Sequence, residues 1–129
     1  MIFNLITAMK ISNTIIIYTL PSTKEQKSTL DTVKSILKKH KINCRLANRD
    51  KLDKNKLKYN DLVIAVGGDG TFLRAAHFIG RQVLLGVNAD VKNKEGFFMK
   101  ADKRNFAKKL KKIINGTADI RKLTRLEAY

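Results

Sequence analysis

Gly67-Gly68-Asp69-Gly70-Thr71 sets three positions without side chains around one carboxylate. Glycine lets a backbone turn tightly and brings its N–H groups against a ligand with no Cβ in the way. A helix predicted to begin near Thr71 adds unpaired N–H groups and the positive end of its dipole at the same point, a physical recipe for holding phosphate oxygens. Asp69 is the odd member. A carboxylate repels phosphate unless it has another task, such as accepting a hydroxyl proton or holding Mg²⁺. The plain alternative is a tight turn in which Asp69 only caps the helix. At ordinary residue frequencies the five-residue string arises by chance in roughly one chain of this length in 10⁴. It also stands between the apolar run Asp61–Val66 and an apolar helix, the setting that a phosphate loop needs.

Other constellations are weaker. His40 and His77 lie far apart with no second ligand at metal-site spacing, so no zinc site is expected and no protein metal ligand is assigned. Cys44 falls in a predicted strand with no histidine at motif distance, which reads as an inert buried thiol. The basic helix over 102–115 lacks the interleaved aromatics that stack single-stranded nucleic acid.

The elements that must position the glycine loop alternate between strand and helix. Asn13–Leu20 reads as a first core strand ended by Pro21, and Ser22 or Thr23 can cap a helix to about His40 with Leu30, Val33, Ile36 and Leu37 on one face. Ile42–Ala47 is a second strand, at an edge or half-exposed because Asn43 and Arg45 alternate with apolar residues. Residues 48–60 read as a polar surface loop with one helical turn. Asp61–Val66 is a strand buried on both faces, followed by a helix from Thr71 to about Ile79 and another strand over Gln82–Val87. Asp102 is expected to cap a basic amphipathic helix that turns Phe106, Leu110, Ile113 and Ile114 inward and ends at Gly116. A last extended segment is expected over 118–129. The pattern predicts a three-layer α/β domain with a mostly parallel sheet, its ligand at the C-terminal ends of the strands near Val66 and Val87.

Length and composition bound the answer. The 129 residues suit one domain, and 43% hydrophobic with 29% charged residues excludes disordered and low-complexity classes. Lys and Arg number 27 against 11 acidic residues, a net charge of +16 that favours anionic partners electrostatically, although 20 of the 27 are Lys, the residue of solvated surfaces. One cysteine and no apolar run near the ~20 residues that span a bilayer predict a reducing, cytoplasmic setting without membrane contact. A polyanion or nucleic-acid binder is the alternative that the charge suggests; its signature is a steep salt dependence.

The segment from Asp61 to Ala76, DLVIAVGGDGTFLRAA, resembles the signature of NAD kinases, and the order Leu85-Gly86-Val87-Asn88, then Glu95-Gly96-Phe97-Phe98, keeps that family's sequence of segments. The resemblance covers nearly the whole chain. It implies transfer of the terminal phosphate of ATP or polyphosphate, with Mg²⁺, to the 2′-hydroxyl of NAD. It places the general base on Asp69 and lays the phosphates along Gly67, Gly68, Gly70 and Thr71. It sets Arg74 near the dinucleotide, where the plain reading is an exposed arginine. Phe97 falls near the adenine, where the plain reading is a core residue, and Asn88 either binds ligand or ends a strand. The loop over 89–95 is longer than in most bacterial members and closer to the organellar type. Family members carry a second, β-rich domain with an Asn-Glu or Asn-Asp pair that grips NAD; that domain is absent from this chain, so 1–129 reads as a single N-terminal domain expected to form a homo-oligomer. An inactive or incomplete nucleotide-binding module of the same fold is the alternative to an enzyme.

Overall fold

A computed structural model describes residues 10–92 and 96–120. In chain order the elements are β1 (Asn13–Tyr18), α1 (Lys24–Lys39), β2 (Asn43–Asn48), a 3-10 turn (Arg49–Lys51), α2 (Lys54–Leu57), β3 (Leu62–Gly67), α3 (Asp69–Phe78), β4 (Val83–Asn88), β5 (Ala101–Asp102) and α4 (Phe106–Asn115). The five strands form one sheet in the order β2-β1-β3-β4-β5, and every pairing is parallel. Central strands of such a sheet are covered on both faces, which is why Ile15–Ile17 and Leu62–Val66 are apolar without alternation.

Alternate side chains serve the two faces. Ile16, Ile64 and Val66 pack with Val33 and Leu37 of α1 and Phe106, Leu110 and Ile113 of α4. Ile15, Ile17, Val63 and Ala65 pack on the other face with Leu57 of α2 and Phe72 and Ala75 of α3. The result is three layers, and each fully buried Ile, Val or Leu contributes about 1.5–3 kcal/mol of transfer free energy.

Local chemistry sets the helix ends. Thr23 Oγ1 accepts the Gln26 N–H at 3.1 Å while Gln26 Oε1 accepts the Ser22 N–H at 2.6 Å, a capping box with its return bond moved one residue outward. Lys103 Nζ lies 2.8 Å from Glu25 Oε2 and ties the start of α1 to the turn before α4; its hydrogen bond holds the Glu25 carboxyl below the usual range.

Two sequence expectations are corrected. Asp102 does not cap α4. It ends β5, and its Oδ1 accepts the N–H groups of Arg104 and Asn105, so it caps the intervening turn. Burial opposes ionisation of Asp102, yet the Arg104 guanidinium and these N–H groups together outweigh it and hold the carboxyl below its ordinary value. Cys44 is exposed on the edge strand β2 rather than buried. Partial desolvation raises its thiol pKa and Lys34 offsets only part of that, which leaves it unactivated. The extended segment expected over 118–129 falls, beyond 120, outside the described residues. No described helix is long and apolar enough to cross a membrane.

Candidate active site

The chain leaves β1 toward β2 on one side while β3 lies on the other, and a crevice opens beyond the carboxyl ends of the strands where the order divides. A cleft of about 620 Å³ occupies that place. Its walls include Tyr18 and Thr19 at the end of β1, the run Val66–Thr71, Asn88–Asp90 at the end of β4, Arg49, and Gln26 and Leu30 from α1. The main-chain bond from Ala89 N–H to the Gly67 carbonyl, 2.9 Å, staples the exits of β3 and β4 together.

The glycines supply room rather than an unusual turn. Gly68 is extended, φ −125°, and none of the three takes a positive φ. A Cβ on Gly67 would meet Thr71 Oγ1 at 2.6 Å, and one on Gly70 would meet Arg49 Nη1 at 3.1 Å. Gly68 differs, because a Cβ there would meet nothing within 4 Å. No neighbour in the fold requires glycine at 68; what its missing side chain leaves is open cleft wall. Beside it α3 begins at Asp69, two residues earlier than expected, and the N–H groups of Asp69 and Gly70 lack intrahelical partners as at any helix start.

Asp69 does not cap its helix. Its two carboxylate oxygens accept the N–H groups of Phe97 and Phe98, each at 2.9 Å. Parallel strands are usually joined through a helix, and residues 89–92 and 96–100, the described part of the crossover from β4 to β5, contain none. Asp69 pins the end of that crossover against α3, while Phe98 stacks on Phe72 with ring centroids 5.1 Å apart. Gly86 opens the floor beneath, since a Cβ there would meet Met99 Sδ at 2.6 Å and Phe72 Cδ2 at 2.9 Å.

The remaining predicted residues fall in different places. Thr71 is 1% exposed, and its hydroxyl lies 2.7 Å from Thr19 Oγ1 and accepts from Arg49 Nη1 at 3.3 Å. Asn88 both ends β4 and lines the cleft, with Oδ1 accepting the Asp90 N–H at 2.9 Å. Arg74 is not among the cleft-lining residues: its Nε donates to the Arg49 carbonyl at 3.2 Å and its guanidinium lies 5.9 Å from the Phe78 ring centre. Phe97 is 75% exposed, with Lys100 Nζ 5.8 Å from its ring centre, so Phe98 and not Phe97 is the aromatic packed inward. Glu95, which belongs to the same segment, lies outside the described residues. Arg49 and Thr19 enter the cleft unannounced by any spacing in the sequence, because they reach it only when β1 is laid between β2 and β3.

Residues 6–118 match the model of a family described as the ATP-NAD kinase N-terminal domain. The chain belongs to that family. Among proteins it resembles, a "Probable NADH kinase" of Oryza sativa subsp. japonica is 43% identical over 65 residues, which are 50% of this chain and 20% of that protein. An "NADH kinase" of Arabidopsis thaliana is 40% identical over 68 residues, 52% of this chain and 21% of that one. An "NAD kinase" of Chlorobium limicola is 34% identical over 68 residues, 53% of this chain and 23% of that one. This NAD kinase family chain thus spans about a fifth of the length of these relatives.

Mg²⁺ is an expectation of the sequence resemblance, and the carboxylates at the cleft are the groups that bear on it. No group of three or more His, Cys, Asp or Glu side chains gathers among the described residues. Asp69 and Asp90 are the cleft carboxylates, and Asp69 already serves two N–H donors. The described residues thus offer no protein cage for a divalent ion.

Proposed function

We propose that this chain provides the phosphate-binding half of an NAD(H) kinase, which moves the terminal phosphoryl group of ATP, or of polyphosphate, to the ribose 2′-hydroxyl of NAD or NADH. The observation that carries the reading is the open wall at Gly68, beside the free N–H groups of the α3 start, in a cleft at the carboxyl end of a parallel sheet. Phosphate oxygens would lie along Gly67, Gly68 and Gly70. Phosphoryl transfer asks a protein mainly for position and electrostatic complementarity, which a rigid glycine wall and a helix start supply.

Asp69 would face the acceptor hydroxyl. Each carboxylate oxygen keeps a lone pair after accepting one N–H, so the group can take the 2′-hydroxyl proton while it holds the 97–98 segment. The 2′-oxygen then bonds to the terminal phosphorus, the bond to the bridging oxygen breaks, and ADP leaves with that electron pair. The names of the plant relatives favour admitting the reduced dinucleotide as an acceptor. A homo-oligomer fits the exposure of Phe97 and Leu73, and sedimentation at increasing concentration would reveal it.

The test is NADP⁺ or NADPH formation by the purified chain given NAD⁺ or NADH, ATP and Mg²⁺, with Asp69→Asn alongside. Product that depends on Asp69 supports the reading. No product while both nucleotides bind makes the chain an incomplete nucleotide-binding module, and no binding of either refutes it.

A further inference from the structure

Arg49 reaches from the edge of the sheet into the cleft. It follows the edge strand β2 in a turn fixed by Asn48, whose Oδ1 accepts the Asp50 N–H at 2.9 Å. An arginine in such a turn ordinarily extends into water. This one lines the cleft instead, with Nη1 3.3 Å from Thr71 Oγ1 and close enough to Gly70 that a Cβ there would sit 3.1 Å from it.

The contacts of Arg49 within the chain are weak enough to leave its guanidinium available to an anion. The guanidinium lies against the first turn of α3, the positive end of the helix dipole, where a cation is disfavoured. Its ion pair with Asp50, Nε to Oδ1 3.7 Å, is solvent-exposed and weak. The Asp69 carboxylate on the same turn keeps its charge while it accepts from Phe97 and Phe98, and the ion pair of Arg49 is with Asp50 and not with Asp69. Arg49 and the start of α3 thus offer donors at one wall of the cleft, with the Asp69 charge beside them.

The backbone of Arg49 is held from outside the cleft. Its carbonyl accepts Arg74 Nε at 3.2 Å, and Arg74 is itself seated over Phe78. One arginine thus fixes the main chain from which the other reaches the glycine loop. An arginine fork matches phosphate oxygens in pairs, as an ammonium does not.

We infer that Arg49 is the side-chain contact for the phosphate chain of the donor, and that Arg74 is a positioning residue acting through the Arg49 carbonyl. The inference rests on the phosphate-transfer reading above and adds to it the residue that grips the triphosphate.

The experiment is calorimetric titration of the 129-residue chain with ATP, with inorganic tripolyphosphate and with NAD⁺, at one ionic strength. Arg49→Ala weakens ATP and tripolyphosphate alike by tenfold or more, Arg49→Lys recovers part of the loss, and NAD⁺ affinity changes less than threefold. Arg74→Ala weakens both phosphate ligands less than Arg49→Ala, and the double variant is no weaker than Arg49→Ala alone. Wild-type affinity for both phosphate ligands in Arg49→Ala overturns the inference and leaves the functional reading standing. A loss confined to ATP overturns it too, by placing Arg49 on the nucleoside. Failure of the wild-type chain to bind any of the three ligands overturns the functional reading itself.

Discussion

Replacing Asp69 with Asn has a structural consequence apart from any chemistry. Asp69 accepts two N–H bonds of 2.9 Å from Phe97 and Phe98 and stands in the first turn of α3. Asn keeps one acceptor oxygen and turns its NH₂ toward the other donor. Losing one charge-assisted bond costs about 1.5 kcal/mol, the low end of the range because the site is partly exposed. Losing the negative charge at the helix start adds about 0.5 kcal/mol. A total of about 2 kcal/mol lowers Tm by about 8 °C in a chain of this length. Thermal unfolding followed by circular dichroism measures it, and amide exchange at Phe97 and Phe98 locates it, since both amides lose protection if the carboxylate was holding them. A variant that melts with the wild type and keeps both amides protected would show that the carboxylate does not hold the 97–98 segment. The same argument means that lost turnover in Asp69→Asn reports proton acceptance only if Phe98→Ala, which loosens the loop without touching the carboxylate, keeps its turnover.

Thr14 is fully buried and its hydroxyl has no hydrogen-bond partner, so Thr14→Val is expected to raise stability by about 1 kcal/mol in urea unfolding; a loss would show that the hydroxyl is satisfied. Gly86→Ala forces Met99 and Phe72 apart and is expected to cost about 1–3 kcal/mol by the same assay, with a neutral result contradicting the packing of the crossover on β4. Glu25 and Asp102 have depressed folded pKa values, so the stability they add is fully present above the ordinary carboxylate range and is lost as pH falls through those lowered values. Lys103→Gln should flatten the Glu25 part of that acid loss in urea midpoints measured against pH, and an unchanged profile would count against the Lys103–Glu25 bridge.

What was legible in the sequence follows from how it is buried. Strands covered on both faces are written as unbroken apolar runs, so β1, β3 and β4 were readable to within a residue or two, and α1 carried its own cap and stripe. The two residues of β5 are too few to show any period. Asp102 reads as the cap of α4, but the N-cap residue is Asn105, whose Oδ1 accepts the Asp102 N–H at 2.8 Å, so neither side chain caps α4. Asp69 looked like a phosphate-loop residue or a cap, and its bond to a segment 28 residues away has no local signal. The Arg49–Thr71 contact, 22 residues apart, likewise arises from strand order and not from spacing.

Gly68→Ala is the decisive variant for the proposal that the open wall at Gly68 receives a nucleotide phosphate. The residue is extended and its Cβ would meet nothing within 4 Å, so alanine fits the fold and should leave Tm unchanged or slightly raised. ATP affinity, measured beside wild type by calorimetry, is expected to fall tenfold or more at that unchanged stability. A Gly68→Ala chain that binds ATP as tightly as wild type would contradict it.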